Sequence, residues 1–148
     1  MATLFTRIID GEIPGRFVWA DDVCVAFTTV APISDGHALV VPRDEVDQLT
    51  AASDELLAHL IAVAKMIGLA QQAAWDAPRA ALLVAGFEVP HLHLHVLPAW
   101  GEANLSFAHA KPDTPAERLD AAAERLRTAL RDAGRGANVP PRLGSAQL

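Results

Sequence analysis

Three of the six histidines in the chain lie at every second position of one short segment, residues 89–98, with the sequence VPHLHLHVLP. Because the side chains of a β-strand alternate between its two faces, His91, His93 and His95 are predicted to share one face. The aliphatic residues between them share the other face, which can pack against a helix. A buried imidazole needs partners for both ring nitrogens, so three neighbouring imidazoles are expected in a polar cleft rather than in a core.

The residues alone leave three interpretations of this histidine face open. The rings could simply decorate a solvated surface of a sheet. Imidazoles two residues apart on a strand can also share a zinc ion, although Glu88 is the only carboxylate close to them in sequence. A neutral imidazole, with an ordinary pKa of about 6.5, is in addition a competent nucleophile that can attack phosphorus. The metal site and the nucleophile are not separated by the chemistry of the segment.

Composition and charge exclude several classes of protein. The 148 residues suit a single domain, and a net charge of −6 argues against a nucleic-acid polymer or an anionic membrane as the partner. Cys24 is the only cysteine, so no internal disulfide and no cysteine-based zinc site are expected. We find no stretch suited to a signal peptide or a membrane span, and therefore expect a cytoplasmic protein.

The order of the predicted elements indicates an α+β domain. A short helix is predicted over residues 4–10, and an amphipathic helix begins near Leu56 after the N-cap Ser53. Thr114 is predicted to open a second long helix as a capping box, with Pro115 at its first position. Strands are predicted in the segments 17–20, 23–30, 37–42, 80–86 and 89–98. This order favours an antiparallel sheet with both long helices on one side.

The domain is predicted to span residues 1–133. The remaining segment, residues 134–148, reads GRGANVPPRLGSAQL and is polar and rich in Gly and Pro. We expect this tail to be flexible or to contact a partner. Within the first long helix, Gly68 is unfavourable relative to Ala by up to about 1 kcal/mol, which predicts close packing at that point.

Residues 91–97, HLHLHVL, resemble without a gap the His-φ-His-φ-His-φ-φ signature of the histidine triad (HIT) superfamily, where φ is hydrophobic. Residues 5–27 are similar to the opening helix and hairpin of that family, and residues 36–49 are similar to its Gly-His-x-Leu-Val-φ-Pro strand. The chain is most similar to the small single-domain bacterial HIT proteins and Hint-like nucleotide-binding hydrolases. The resemblance implies an antiparallel sheet of about five strands with two main helices, in a homodimer.

The same resemblance implies hydrolysis or transfer of nucleotides through a covalent nucleotidyl-histidine intermediate, without a metal or another cofactor. The implied nucleophile is His93, its organiser is His91, and His95 and His37 are the partners of the phosphate. The implied ligand is a purine nucleotide or its conjugate, cleaved by a phosphoramidase or a dinucleoside polyphosphate hydrolase. The remaining residues expected to contact the nucleotide are Phe5, Ile8, Phe27, Thr29, Val30, Glu88 and Trp100.

Several positions depart from the family pattern. Thr3 and Thr6 stand where many relatives have a Cys-x-x-Cys pair that contributes to a structural zinc site, so zinc is not expected. Thr29 stands where relatives hold ribose hydroxyls with an acidic residue. Phe87 and Glu88 replace a Gln and a Ser or Thr that help to position the phosphate and the leaving group.

These departures keep two alternatives open. The first is a HIT-fold protein with weak or no catalysis that binds a nucleotide or a protein partner. The second, with less support, is a strand-built metal-binding protein. Alternation from His91 predicts that Glu88 faces away from the histidines, unless the chain bends near Pro90.

Overall fold

A computed structural model describes all 148 residues of the chain. Five strands form one antiparallel sheet: β1 (Phe17–Ala20), β2 (Cys24–Thr28), β3 (Ala38–Pro42), β4 (Arg79–Leu83) and β5 (Leu94–Ala99). Their order across the sheet is β1-β2-β3-β5-β4. Three α-helices accompany the sheet: α1 (Leu4–Ile9), α2 (Asp54–Trp75) and α3 (Ala116–Leu130). The predicted α+β class and the five-stranded antiparallel sheet are confirmed.

Helices α2 and α3 cover one face of the sheet with their apolar stripes. Leu60 and Ile67 of α2 and Leu126 of α3 are fully buried in the larger of two hydrophobic clusters. A methyl group placed on Gly68 would lie 2.9 Å from the Cβ atom of Ala80, so the glycine lets α2 approach β4 closely. The close packing predicted at this glycine is confirmed.

The opposite face of the sheet carries a smaller cluster beneath α1. Phe5 and Ile8 of α1 pack there against β2 and β3, which contribute Phe27 and Leu39. The rings of Phe5 and Phe27 meet edge to face, with 5.6 Å between their centroids. Leu39 is also the cross-strand partner of His95, so the histidines lie on the α1 side of the sheet.

Strand β5 begins at Leu94, five residues later than the predicted strand. Before it, the chain is bent, and the Leu92 N–H donates to the Val46 carbonyl oxygen at 2.7 Å instead of joining the sheet ladder. The alternation still holds through the bend, because Leu92, Leu94 and Val96 are all buried in the cluster beneath α2. The prediction of one aliphatic face and one histidine face is therefore correct, while the strand boundary is not.

The predicted capping box at Thr114 is wrong. The Thr114 hydroxyl donates to the Lys111 carbonyl at 2.7 Å, and no side chain caps α3. Pro115 has an extended backbone and its carbonyl accepts from the N–H groups of Arg118 and Leu119. The helix thus begins one residue later than predicted, where the Thr114 oxygen no longer faces the free N–H groups.

The C-terminal tail, residues 134–148, packs on its own domain. The buried Arg127 of α3 donates to the carbonyls of Phe17 and Pro140, at 2.6 and 2.7 Å. The Phe17 N–H in turn donates to the Leu143 carbonyl at 2.7 Å. Val139 is buried in the main cluster. The tail covers the outer edge of β1, which explains why a polar segment is held in place.

Helix α2 is long and apolar enough to cross a membrane, with a mean hydropathy of 1.4 over 18 residues, which corrects the expectation that no stretch reaches that limit. In the fold it is a core helix whose inner stripe, including Leu60 and Ile67, packs on the sheet. Ile61 and Leu69 on its outer side remain exposed.

Candidate active site

A cavity of about 460 Å³ opens on the histidine face of the sheet. Three of the four predicted catalytic residues, His37, His93 and His95, contribute to its lining. The loop from 85 to 89 forms one wall, and residues between β5 and α3 form another. The other lining residues are Thr29, Ala31, Ala85, Gly86, Phe87, Glu88, Val89, Phe107, Ala110 and Pro112.

The hydrogen bonds of His93 leave one of its nitrogens free to act as a nucleophile. The Nδ1 atom lies 2.7 Å from the carbonyl oxygen of His91. A carbonyl only accepts, so we infer that Nδ1 carries the proton and that Nε2 holds the lone pair. The ring packs against Phe5, with 4.8 Å between the centroids. Burial lowers the pKa of His93, and the hydrogen bond to His91 opposes that shift only in part, so the neutral form is favoured.

His37 and His95 form a pair whose proton positions follow from a backbone amide. The Ile33 N–H donates to His37 Nδ1 at 3.1 Å, so we infer that His37 carries its proton on Nε2. His37 Nε2 lies 2.9 Å from His95 Nδ1 and therefore donates to it. His95 is then protonated on Nε2. This leaves His95 Nε2 as a hydrogen-bond donor for an anion in the cavity.

Both rings of this pair are held in the neutral state. Burial, followed by the charge of His95, lowers the pKa of His37 to about 3. Burial, followed by the charge of His93, lowers the pKa of His95 to about 4. Because both values lie well below 7, the pair acts at neutral pH through its N–H groups and not as a positive charge.

His91 lies behind the cavity, not in its wall. It is fully buried, and its Nε2 donates to the Pro42 carbonyl at 2.7 Å. Its Nδ1 lies 2.6 Å from the hydroxyl of Thr3, the residue that caps α1 by accepting from the Thr6 N–H. Since the His91 carbonyl accepts from His93 Nδ1, the backbone of His91 contacts the His93 ring directly.

Thr3, Thr6, Glu45 and His91 form a hydrogen-bonded cluster at the positions where the family resemblance places the structural zinc site of many relatives. Thr6 donates to Glu45 at 2.8 Å, and the Thr3 N–H lies 3.4 Å from the same carboxylate oxygen. Zinc in proteins is bound by thiolate, imidazole or carboxylate groups, and two of the four groups here are hydroxyls. The residues therefore do not fit zinc. Sequence reasoning missed Glu45, whose only signal is its place three residues after the Gly-His-x-Leu-Val-φ-Pro strand.

A second group of possible metal ligands lies elsewhere, where Asp21, Cys24 and His59 bring one ligand atom each within 4.8 Å of the others. The Asp21 carboxylate already accepts from Trp19 Nε1 at 2.9 Å and pairs with His59 at 2.8 Å. Burial raises the pKa of the Cys24 thiol, which disfavours the thiolate that a metal would need. Hydrogen bonding accounts for this group without a metal.

The residues predicted to contact the nucleotide separate into three sets. Thr29 lines the cavity, and Phe5 supports the His93 ring from below. Ile8 and Phe27 belong to the buried cluster beneath α1 and do not line the cavity. The structure therefore does not place these two residues in the wall of the cavity.

Val30 and Trp100 also lie outside the cavity. Val30 is 64% exposed and does not line the cavity, although its neighbours Thr29 and Ala31 do. Trp100 follows β5, which runs away from the site, and lies roughly 16 Å along the strand from His95 at about 3.3 Å per residue. It lines a different cavity with Ile33 and Lys111.

Glu88 lines the same cavity as the histidines, although strand alternation predicts the opposite face. Residues 87–91 form a bend, and Gly86 before it has a positive φ of 91°, so Glu88 is not part of a regular strand. The neighbouring Phe87 is almost fully exposed. Phe107, which sequence reasoning missed, lies with its ring 4.8 Å from that of His95. No motif marks it, and its only signal is being a lone aromatic residue in a polar loop.

The third residue that sequence reasoning missed is Gln71 of α2. It is fully buried, and its Nε2 donates to the carbonyls of Gly36 and Val96, each at 2.8 Å. These carbonyls belong to residues next to His37 and His95, so Gln71 joins the turn before β3 to strand β5. The signal was a polar residue inside an apolar helical stripe.

The depressed pKa values predict acid sensitivity of the fold. In the unfolded chain each histidine has a pKa of about 6.5. Between that pH and about 4, the unfolded chain binds protons that His37 and His95 do not bind in the fold. The free energy of unfolding should therefore fall by a few kcal/mol as the pH drops through this window.

Urea unfolding at a series of pH values measures this effect. The variant His95→Gln, which removes one of the two groups, should show a shallower fall than the wild type over the same range. A wild-type stability that stays constant from pH 7 to pH 5 contradicts the prediction.

Comparison with known proteins shows the family to which the chain belongs. The model of the HIT domain family matches residues 10–101. An uncharacterized HIT-like protein from Synechocystis is 40% identical over 101 residues, which cover 64% of this chain and 88% of that protein.

Solved structures give the same assignment. A hypothetical histidine triad nucleotide-binding protein from Sulfolobus tokodaii has a TM-score of 0.77 at 28% identity, covering 88% of this chain and 93% of that chain. A zinc-bound histidine triad family protein from Mycobacterium smegmatis has a TM-score of 0.78 at 25% identity, covering 92% and 98%. Since the family model spans more than half of the chain and includes His37 and all three histidines of the triad, the chain belongs to the HIT family.

Proposed function

We propose that this protein is a nucleotide hydrolase or nucleotidyltransferase that acts at the α-phosphorus of a purine nucleotide conjugate. The observation that carries the proposal is the inferred state of His93, whose Nε2 lone pair is free while its Nδ1 is held by the His91 carbonyl. The ring contributes to the cavity wall beside His95, whose Nε2–H can donate to a phosphoryl oxygen. A nucleophile and an anion donor are thus adjacent.

The proposed reaction has two steps. In the first, the lone pair of His93 Nε2 forms a bond to phosphorus, and the bond to the leaving group breaks with its electron pair. An amine leaving group takes a proton from water, whereas a phosphate chain departs as an anion. In the second step a water oxygen attacks phosphorus, the P–N bond to His93 breaks, and the histidine recovers its lone pair. The water proton is released to solvent.

A second candidate is a nucleotide-binding protein of the same fold with little or no turnover. It is favoured by Glu88, a carboxylate in the wall of the cavity that would receive the phosphate. No lysine or arginine is among the lining residues to offset it. The two candidates differ in one observable, the covalent intermediate.

Trapping that intermediate tests the proposal. The protein is incubated with an adenosine phosphoramidate, quenched in cold base, and digested for mass spectrometry. We expect an AMP adduct on the peptide that contains His93, formed equally in the presence of a chelator. Nucleotide binding with neither adduct nor turnover supports the second candidate. Activity that is lost with a chelator and restored by zinc supports a metalloprotein instead.

We also propose that the protein is a homodimer joined through β4 and α2. Strand β4 is the edge of the sheet beyond β5, so one side of its backbone has no strand partner. Leu82 of β4 and Ile61 and Leu69 of α2 are exposed and line one depression beside that edge. An apolar patch next to an unpaired edge suits a second copy of the same surface.

Light scattering after size exclusion measures the mass that decides this point. We expect twice the chain mass for the wild type and a monomer for Leu82→Arg, which places a charge in the patch. Leu49→Arg, at an exposed leucine on a separate turn, is the matched control and should remain dimeric. A monomeric wild type at micromolar concentration contradicts the proposed dimer.

We infer that the protein acts in the cytoplasm. The only cysteine, Cys24, is a buried free thiol, and the fold contains no disulfide, as is usual in a reducing compartment. Cell fractionation followed by immunoblotting tests this location, and recovery in a secreted or periplasmic fraction contradicts it.

A further inference from the structure

We propose that Gln71 of α2 is a positioning residue that holds the His37–His95 pair together from the helix side of the sheet. The proposal rests on the proposed function in one respect, since there the pair serves as donor to the phosphoryl group. The observation that carries it is a buried side-chain amide whose two hydrogen bonds end on Gly36 and Val96, the residues next to the two histidines.

Gln71 stands in a helical stripe that is otherwise apolar. The other buried residues of α2 are Leu60, Val63, Ala64, Ile67, Gly68 and Ala70. Transfer of an amide from water into such a core is unfavourable unless hydrogen bonds compensate for it. The Nε2 group of Gln71 makes two such bonds, whereas its Oε1 atom is buried without a partner. Packing of the helix core alone therefore does not account for an amide at this position.

The two hydrogen bonds lie where the ladder between β3 and β5 ends. The last cross-strand pair at this end joins Ala38 of β3 to Val96 of β5, and His37 lies one residue beyond it. Because ladder hydrogen bonds fix the spacing of two strands only within the ladder, another contact must set the distance from His37 to β5. Gln71 supplies that contact, since its amide donates to the carbonyls of Gly36 and Val96, each at 2.8 Å.

Other hydrogen bonds hold the turn before β3 without reaching the neighbours of both histidines. The Thr29 N–H donates to the His37 carbonyl at 3.1 Å and joins the turn to β2. The Ser34 hydroxyl donates to the Pro98 carbonyl at 2.8 Å, farther along β5 from the pair. Among the side-chain hydrogen bonds of the fold, those of Gln71 alone end on residues adjacent to both rings of the pair.

The spacing matters because the hydrogen bond within the pair tolerates little movement. His37 Nε2 lies 2.9 Å from His95 Nδ1, and a separation of about 3.6 Å is no longer a hydrogen bond. A shift of less than about 1 Å between the turn and β5 thus releases the ring of His95, and its Nε2–H loses its fixed direction toward the cavity. Gln71 does not line the cavity, so it acts through the pair.

Nuclear magnetic resonance of protein with isotope-labelled histidine observes the pair without a substrate. In the wild type, the nitrogen shifts of His95 should be those of a protonated Nε2 and an acceptor Nδ1. Gln71→Met keeps the length of the side chain but removes the donor, so the two shifts should move toward each other as the ring samples both tautomers. For an adenosine phosphoramidate, kcat should fall by about tenfold or more, with KM changed by less than about threefold.

Two control variants separate positioning from loss of stability. Gln72→Met removes the amide of the next residue, which donates to the Pro78 carbonyl at 3.1 Å. Ile67→Ala removes a fully buried side chain one turn earlier in the same stripe, and urea unfolding should show a loss of stability. Neither control should change the nitrogen shifts of His95 or kcat. If Gln71→Met does not fold, Gln71→Asn replaces it, because its amide is one methylene too short to reach both carbonyls.

The nitrogen shifts distinguish failure of this proposal from failure of the proposed function. Shifts that change in Gln71→Met and in neither control support the positioning role even if the wild type shows no turnover, in which case the proposed function alone fails. Unchanged shifts in Gln71→Met, or a kcat within about threefold of that of an active wild type, overturn the proposal. Equal changes in either control overturn it as well.

Discussion

Replacing His93 with alanine should lower kcat/KM for an adenosine phosphoramidate by a factor of about 10³ or more. The substitution removes the Nε2 lone pair that is proposed to attack phosphorus, and no other group takes its place. His95 is committed to His37 through its Nδ1, and His91 is fully buried behind the cavity. Initial rates over a range of substrate concentrations measure the effect. Nucleotide binding should persist, because His93 supplies only part of the cavity wall.

The matched control is His109→Ala, which removes an exposed histidine that does not line the cavity. It should leave the rate unchanged. A His93→Ala protein that keeps one tenth of the wild-type rate rules out this residue as the nucleophile. Circular dichroism of both variants shows whether any loss of rate comes from loss of the fold.

Replacing Gly36 with alanine should reduce the free energy of unfolding by about 2–4 kcal/mol. Two costs combine, since Gly36 has a positive φ of 84° and its added methyl would lie 2.5 Å from the ring of Trp75. The carbonyl of Gly36 is also one of the two that Gln71 holds. Because His37 follows directly, catalysis should weaken as well. Urea unfolding and initial rates measure the two effects.

Two further variants separate the collision from the backbone strain. Gly11→Ala places a methyl at a φ of 86° with nothing within 4 Å, so it should cost only about 1–2 kcal/mol. In the Gly36→Ala background, Trp75→Leu should recover part of the loss by making room. If Gly36→Ala is no more costly than Gly11→Ala, the contact with Trp75 is not the cause.

Short-range patterns account for most of what the sequence predicts correctly. The face of each histidine in the triad follows from strand alternation, which survives the bend before Leu94 because the aliphatic residues remain buried. The start of α2 follows from Ser53, whose hydroxyl accepts from the Leu56 N–H at 3.1 Å. Both patterns involve residues within four positions of each other, so sequence alone contains the whole interaction.

The features that escaped prediction depend on partners far apart in the chain. After the bend that carries Glu88, the Leu92 N–H donates to the Val46 carbonyl, 46 positions earlier in the chain, instead of joining the sheet ladder. Thr3 meets His91 across 88 positions. The tail is held by Arg127, whose burial no local pattern reveals. Each contact forms only once the sheet has brought its two ends together.

The direction of the hydrogen bond between His37 and His95 is set by a backbone amide. This amide is that of Ile33, and every residue except proline supplies that same N–H. Substitutions of the side chain at position 33 therefore leave His95 Nε2–H as the donor toward the cavity. Only a proline at position 33 would remove the N–H that donates to His37 Nδ1. His37 could then carry its proton on Nδ1 and accept a hydrogen bond from His95 at Nε2.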